Sequence, residues 1–148
     1  MSIILVITGS RTFTNTDVIE GALNDVHNDR GIKVMFSGSA SSGADVICQD
    51  WARNRGVQLV EVPEPWRIGR EAGFIRNKFM VSLALAYAEV EGYAIRGLAF
   101  ANICKDSKCL RRNKGEQPHY THGTENCIQV FNDTKIGIRA KIITAVQP

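Results

Sequence analysis

Short apolar runs alternate with longer segments of helical periodicity along most of this chain. Strands are expected at 3–8, 32–36, 57–62, 94–101 and 138–146, and helices at about 15–29, 44–55, 69–90 and 123–134. Strands that alternate with helices of about ten residues or more form βαβ units, whose crossovers are right-handed in nearly all proteins. The sequence therefore predicts an α/β fold: one three-layer, doubly wound (Rossmann-like) parallel sheet of about five strands, in the order 3-2-1-4-5.

Length and composition limit what the chain can be. Its 148 residues suggest one domain, 1–148, that is large enough to bury its own core. The net charge of +3 is too small to indicate a nucleic-acid partner by itself. The apolar run 3–7 is too short for a signal peptide, and no run approaches the ~20 residues of a membrane span. We therefore expect a cytoplasmic protein with no membrane partner and with reduced cysteines.

Three turns rich in small residues precede three of the expected helices. They are Gly9-Ser10-Arg11, Ser37 to Asp45, and Thr121-His122-Gly123-Thr124. Ligands of doubly wound sheets bind beyond the carboxyl ends of the strands, where the strand order reverses, and all three turns should open at that edge. Glycine allows a ligand to approach the backbone, and a helix N-terminus favours an anion. Together the turns predict a site for a phosphate-bearing ligand, and a nucleotide is favoured. Asp45 either complements the dipole of its helix or accepts hydrogen bonds from a ribose hydroxyl or a base edge.

The segment 66–80 is cationic and leads into the longest helix. Arg70, Gly73, Arg76, Asn77 and Met80 share one arc of that helix, which we expect to face the anion. A second arc is apolar and is expected to face the core. It consists of Ala72, Ile75, Phe79, Leu83, Ala86 and Val90. Trp66 precedes the helix at the edge of the site, where it either stacks on a base or closes the end of the sheet.

Residues 102–122 show no periodicity and form an inserted loop between the fourth strand and the last helix. Long loops in compact domains are usually functional or disordered. This one carries five basic residues against two acidic ones: Lys105, Lys108, Arg111, Arg112 and Lys114, with Asp106 and Glu116. We consider two interpretations, a cationic lid that orders over the bound ligand and a plain surface insertion.

The same loop contains Cys104-x4-Cys109 and His119-x2-His122. Zinc prefers such side chains, but their spacing matches no compact zinc motif. The sequence therefore predicts no metal and no cofactor, with His122 facing the ligand.

A third arc of the longest helix contains Phe74, Val81 and Leu85. Soluble monomers generally avoid an exposed apolar patch of this kind, and two-fold dimers are the commonest soluble assemblies. We therefore expect a homodimer or a higher homo-oligomer formed through this helix. The alternative is that the last helix or the long loop covers these residues.

Taken together, these motifs resemble the YspA-like branch of the SLOG superfamily, which is Rossmann-like, includes the LOG proteins and is related to DprA. The resemblance rests on Gly9-Ser10-Arg11-Thr12-Phe13, Ser37–Asp45, Pro65–Met80 and Gly123-Thr124, and it covers nearly the whole chain except 102–120. It implies a SLOG-like nucleotide-binding domain over 1–148 with a loop inserted at 102–122. The implied ligand-binding residues are Gly9, Ser10, Arg11, Gly38, Ser39, Gly43, Ala44, Asp45, Trp66, Arg70, Gly73, Arg76, Asn77, His122, Gly123 and Thr124.

Three functions are compatible with the resemblance. Family members bind nucleotides or nucleotide-derived signals, including relatives of ADP-ribose, so the first is a protein that senses or sequesters such a molecule. Some LOG proteins cleave the N-glycosidic bond of nucleoside monophosphates, and Arg76 matches their arginine. However, no Pro-Gly-Gly precedes Gly123, and Cys127 stands where those enzymes have glutamate, so we assign no catalytic residue. The third function is a DprA-like nucleic-acid-binding module, against which the low net charge and the lack of an aromatic-basic stripe argue.

Overall fold

A five-stranded parallel sheet with the order β3-β2-β1-β4-β5 forms the centre of the computed structural model. The structure describes residues 2–69, 71–115, 117–134 and 140–144. The strands are β1 Ile3–Gly9, β2 Ile32–Gly38, β3 Gln58–Val62, β4 Ala94–Ala101 and β5 Lys141–Thr144. The helices are α1 Thr16–Arg30, α2 Ala44–Asn54, α3 Ala72–Glu91, the short α4 Leu110–Asn113, and α5 His122–Asn132. The predicted fold class and strand order are confirmed.

The central strand β1 is buried on both faces, as its continuous apolar run predicts. Because successive side chains of a strand point to opposite faces, Leu5 and Ile7 pack with α1 and α2, whereas Ile4 and Val6 pack with α3 and α5. This gives a three-layer arrangement with helices on both faces of the sheet. Within the part of the chain that the structure describes, no helix is long and apolar enough to cross a membrane.

The predicted core-facing arc of α3 is wrong. Phe79 is 59% exposed and Val90 is 81% exposed, and Ile75 and Leu83 are also exposed. The buried residues of α3 are Ala72, Asn77, Met80, Val81, Ala84 and Ala88. Apolar residues lie almost all round this helix, so its periodicity did not identify one face. The small alanines allow α3 to pack closely on the sheet and on α5, and this selects the face that contains them.

Because α3 buries a different face from the one predicted, the apolar patch on which self-association was predicted also changes. Val81 is buried and Leu85 packs against the core, while Phe74 is exposed. The large apolar side chains that α3 presents to solvent are Ile75, Phe79, Leu83 and Val90 on one arc of the helix, and Phe74 on a different arc. We call Ile75, Phe79, Leu83 and Val90 the outer face of α3, and the prediction of a homo-oligomer now depends on them.

The inserted segment 102–122 contains local structure that the sequence did not indicate. Ile103 and Tyr120 form an isolated antiparallel bridge near its two ends, and α4 lies between them. The bridge is reinforced by hydrogen bonds from Cys104 N to His119 O (2.7 Å) and from Thr121 N to Asn102 O (3.0 Å). The segment therefore leaves the sheet and returns to it at nearly the same point, beside the start of α5.

Candidate functional site

A cavity of about 360 Å³ lies at the carboxyl ends of the strands, where the sequence analysis placed the ligand. We call it the sheet-edge pocket. Its lining comes from the loops after β1, β2 and β3 and from the N-terminal turns of α2, α3 and α5. The lining residues are Thr8, Gly9, Ser10, Arg11, Thr12, Ala40, Asp45, Glu64, Gly73, Phe74, Arg76, Asn77, Thr121, Gly123 and Thr124. Most of the predicted ligand-binding residues are thus brought together.

Two charged side chains in this pocket have a buried polar atom without a hydrogen-bond partner among the described residues. Asp45, in the first turn of α2, is 5% exposed, and its Oδ1 has no hydrogen-bond partner among the described residues. The same holds for Nη1 of Arg76, in the first turns of α3. A buried polar atom without a partner costs about 1–3 kcal/mol, and native structures contain few of them. The pocket therefore contains one unpaired acceptor and one unpaired donor.

The electrostatics of the pocket centre on Asp45. Burial raises the pKa of this carboxyl from 3.8 to about 7, while the guanidinium groups of Arg76 and Arg11 oppose the rise and Glu64 adds to it. Desolvation outweighs the attraction of the two arginines because the carboxyl is almost completely removed from water. Near neutral pH, Asp45 can therefore either hold or release a proton.

Glu64 is a pocket residue that the sequence analysis missed. Its side chain is 11% exposed and lies 3.5 Å from Nη2 of Arg76 and 3.9 Å from Nη2 of Arg11. It follows β3 between two prolines, so a glutamate at the carboxyl end of a strand was the signal that could have identified it. Among the described residues, the pocket therefore contains two carboxyl groups and two guanidinium groups.

Hydroxyl groups connect the start of α5 to the loop after β1. Ser10 Oγ lies 2.5 Å from Thr121 Oγ1 and 3.4 Å from Thr124 Oγ1, and it accepts a hydrogen bond from Asn102 N at 3.0 Å. Thr121 Oγ1 donates to Thr124 Oγ1 at 3.2 Å. Because Ser10 follows the central strand, this network fixes the N-terminus of α5 against the sheet.

Asn77 connects α3 to α5 in the same way. Its Nδ2 donates to Gly123 O at 3.2 Å and to Asn126 Oδ1 at 3.0 Å. Its Oδ1 accepts from Arg76 Nε at 2.9 Å. Both ends of the amide are thus occupied, and one of its bonds holds the neighbouring guanidinium in place.

The predicted glycine-rich turn after β2 contributes few side chains to the lining of the pocket. Its glycines instead leave room for neighbouring groups. The guanidinium of Arg76 lies directly against Gly38, in the volume that a Cβ atom would fill. Gly43 has a φ of 79°, and a Cβ atom there would lie 2.5 Å from the backbone of Arg11. Ser39 is exposed, and Ala44 packs against Gly9. Of this turn, Ala40 and Asp45 line the pocket.

The remaining predicted site residues are Trp66, Arg70 and His122. Arg70 and the side chain of Trp66 lie outside what the structure describes. His122 lines a neighbouring cavity of about 960 Å³, whose walls come largely from the inserted segment. The two cavities share Thr12 and Thr121.

The Nε2 atom of His122 lies 3.2 Å from Cys109 Sγ. Together with Cys104 and His119, these two residues form a group of four whose ligand atoms lie within 4.8 Å of one another, which could hold a metal ion.

The position that corresponds to the glutamate of LOG enzymes supplies no carboxylate, because it is Cys127, which is buried in the core between the sheet and the helices α3 and α5. The nearest carboxylate in the sequence, that of Glu125, forms an ion pair with Arg111 at 2.8 Å. The carboxyl groups of the pocket come from Asp45 and Glu64 instead, on the other side of Arg76 in the chain. Any acid–base chemistry at this site would therefore use a different pair of residues.

Part of the chain matches a protein-family model. Residues 3–69 match the model described as the YspA, cpYpsA-related SLOG family. No curated protein and no solved structure matches the chain. The matched range extends from β1 past β3, so it includes Asp45 and Glu64, whereas Arg76, the inserted segment and α5 lie beyond it.

Proposed function

Because residues 3–69 match the model of the YspA, cpYpsA-related SLOG family, we propose that the chain binds a nucleotide or a nucleotide-derived small molecule in the sheet-edge pocket. The observation that carries the proposal is the pair of buried, unpartnered atoms, Asp45 Oδ1 and Arg76 Nη1, in a single cavity. A ligand with both an anionic group and a hydroxyl or amino donor would satisfy both atoms. Nucleotides carry both kinds of group.

The cationic side chains define where the phosphate would lie. Arg76 and Arg11 can each offer a planar fork to a phosphate group. In the structure both face Glu64 at 3.5 Å and 3.9 Å, so an incoming phosphate would compete with this carboxylate. The first turn of α5, at Gly123 and Thr124, adds the favourable end of a helix dipole.

The sugar and base would lie towards Asp45 and the inserted segment. Asp45 can accept a hydrogen bond from a ribose hydroxyl. The cavity of about 360 Å³ lies within the usual range of small-molecule sites, ~300–1,000 Å³. Since the neighbouring cavity shares Thr12 and Thr121 with it, a ligand with two ends, such as ADP-ribose, could extend from one cavity into the other.

A thermal-shift panel of AMP, NAD and ADP-ribose, with inorganic phosphate as the simplest anion, tests the proposal. A ligand at about 100 times its Kd adds about 2.7 kcal/mol of stability, which should raise the unfolding midpoint by roughly 5–10 °C in a domain of this size. If no member of the panel, and no wider set of nucleotides, shifts the midpoint, the proposal is wrong.

The variant Arg76→Ala identifies the pocket as the site. It should weaken nucleotide binding by about 1.5–3 kcal/mol, the usual contribution of a hydrogen bond to a charged group, with little change in the midpoint of the free protein. Lys78→Ala is the matched control, because this exposed cation lies on the same helix outside the pocket. If Arg76→Ala lowers the free midpoint by several degrees and affinity is retained, Arg76 is structural.

A second function is favoured by one observation, the presence of both Asp45 and Glu64 in the pocket. Glycosidic cleavage commonly uses a carboxylate and a carboxylic acid, one of them with a raised pKa. With a pKa of about 7, Asp45 is suited to protonate a leaving base, and Glu64 to stabilise the developing positive charge on the sugar. An N-glycoside hydrolase acting on a nucleotide is therefore the alternative.

Measuring the release of free base distinguishes a hydrolase from a protein that only binds the nucleotide. Incubation with AMP, NAD or ADP-ribose, followed by chromatography, should show free base if the protein is a hydrolase. Asp45→Asn and Glu64→Gln should then each abolish release while nucleotide binding persists. If nucleotides bind to the wild type without any release of base, the protein is a binding protein towards these ligands.

A further inference from the structure

Four side chains of the inserted segment 102–122 converge on one point. Nε2 of His122 lies 3.2 Å from Cys109 Sγ, 3.6 Å from Cys104 Sγ and 3.1 Å from His119 Nε2. Nε2 of His119 lies 3.4 Å from Cys109 Sγ. All four atoms lie within 4.8 Å of one another. We call Cys104, Cys109, His119 and His122 the Cys/His cluster.

The four measured distances, 3.1–3.6 Å, are close to those between the ligands of a single zinc ion. With bonds of ~2.3 Å to sulfur and ~2.0–2.1 Å to nitrogen, the ligand atoms of a tetrahedral site lie about 3.3–3.8 Å apart. Two thiolates with two imidazoles are a typical structural zinc set, and this combination of soft and borderline ligands selects zinc over calcium or magnesium.

The fold of the segment explains how distant positions in the sequence form the cluster. The bridge between Ile103 and Tyr120 places Cys104 beside His119, whose backbone groups share a hydrogen bond of 2.7 Å. A turn at Asp106, which accepts from Lys108 N through its side chain and from Cys109 N through its carbonyl, returns Cys109 to the same point. His122 is added as the first residue of α5.

The segment has no apolar core with which to hold this shape. Among its described residues, those that are buried are Cys104, Cys109 and His119. Its large aliphatic side chains face outwards: Leu110 is 73% exposed and Ile103 is exposed as well. Small structural units that lack a core generally depend on disulfides or a metal, and here the buried side chains are themselves metal ligands.

We propose that the Cys/His cluster binds one structural zinc ion. Four protein ligands complete a tetrahedral coordination and leave no position for substrate, which distinguishes the site from a catalytic one. Binding releases the two thiol protons to solvent, because the ligands are thiolates and neutral imidazoles. His122 then acts as a metal ligand and not as a contact to the nucleotide, and the inserted segment is a zinc-stabilised wall beside the pocket.

Metal analysis of the purified full-length protein tests the proposal directly. Protein prepared without chelators and with reduced thiols should contain one zinc per chain by plasma mass spectrometry. Cys109→Ser and His119→Ala should contain none, whereas Cys48→Ala, which removes a buried thiol outside the cluster, should retain one zinc. Exchange for cobalt(II) should give the absorption of a tetrahedral site with thiolate ligands.

A substitution of the exposed ligand, His122, provides a control in case the other variants fail to fold. His122→Gln changes a side chain that is open to solvent, and it should leave the protein folded while lowering zinc affinity at least ~10-fold, since even loss of an outer-sphere partner costs 10- to 100-fold. The proposal is overturned if the reduced wild type neither contains nor takes up zinc, or if mass spectrometry of protein purified without a reductant shows that Cys104 and Cys109 form a disulfide that resists later reduction. It is also overturned if His122→Gln binds zinc as tightly as the wild type.

Discussion

Replacing Asp45 with asparagine should remove a large part of the pH dependence of folding stability. The wild-type carboxyl has a pKa of about 7 in the folded protein, against 3.8 for the ordinary side chain. Because the folded state binds this proton more tightly than the unfolded state, the proton stabilises the fold fully below pH ~4, and this stabilisation is lost as the pH rises to about 7. The loss is about 1.4 kcal/mol per pH unit, on the order of 4 kcal/mol in total.

The asparagine variant has nearly the same shape and no charge to desolvate. Urea denaturation of both proteins at pH 5 and pH 7 measures the effect. The free energy of unfolding of the variant, relative to the wild type, should rise by roughly 2–3 kcal/mol between these two values. Contributions from titrating groups that do not interact with Asp45 are common to both proteins and cancel in this comparison, whereas Glu64 is coupled to Asp45.

Asp50→Asn provides the control, since it removes an exposed carboxylate from the same helix. Its stability should follow the wild-type dependence on pH. If the Asp45→Asn variant also follows the wild type at both pH values, the folded carboxyl is ionised throughout. Burial would then not raise the pKa of the Asp45 carboxyl, and Asp45 would not act as a proton donor near neutral pH.

Three further results are expected. Gly38→Ala should lower nucleotide affinity at least ~10-fold with a smaller effect on stability, because the new methyl group would displace the guanidinium of Arg76; isothermal titration measures this. Trypsin should cleave the 105–114 region of the free protein. If the segment is a lid, cleavage should be slower in the presence of nucleotide, and if the segment holds zinc, cleavage should be faster in the presence of a chelator. Glutamate at both Phe79 and Leu83 should convert a homodimer into a folded monomer in light scattering, because both lie on the outer face of α3.

Each of these expectations has a result that contradicts it. Gly21→Ala is the control for the glycine substitution, since nothing lies near that position, and equal affinities for the two variants would refute the contact with Arg76. Equal rates of cleavage with and without nucleotide would exclude a lid. A wild type that is already monomeric at high micromolar concentration would exclude self-association through α3.

The sheet and the edge that carries the pocket could be predicted because each depends on a local pattern. The run 3–7 is continuously apolar, which is typical of a strand buried on both faces, and each small-residue turn directly precedes a helix. Since parallel strands all end at one edge, the positions of the turns follow from their order in the chain. The sequence pattern therefore predicts that Ser10, Asp45 and Arg76 belong to the candidate site.

The features that could not be predicted depend on how elements pack against one another. The face of α3 that meets the sheet was selected by Ala84 and Ala88, which allow close approach but contribute little to a hydrophobic pattern. Glu64 is a single acidic residue between prolines, and its importance comes from the two guanidinium groups beside it. The Cys/His cluster depends on a bridge between residues that are far apart in sequence, so its spacing resembled no known motif.

The N-terminus of α5 connects the two proposed sites, because adjacent residues take part in each. The Thr121 hydroxyl contacts Ser10 in the sheet-edge pocket, while His122 belongs to the Cys/His cluster. A zinc ion that fixes His122 would also fix Thr121, and by linkage nucleotide and zinc should each raise the affinity for the other by the same factor, within the usual ~5- to 150-fold range of such coupling. Isothermal titration of nucleotide into zinc-loaded and zinc-free protein, with chelator competition for zinc in the presence and absence of nucleotide, measures both sides of the cycle. Equal nucleotide affinity in the two forms would show that the zinc ion stabilises only its own segment, even if both sites exist.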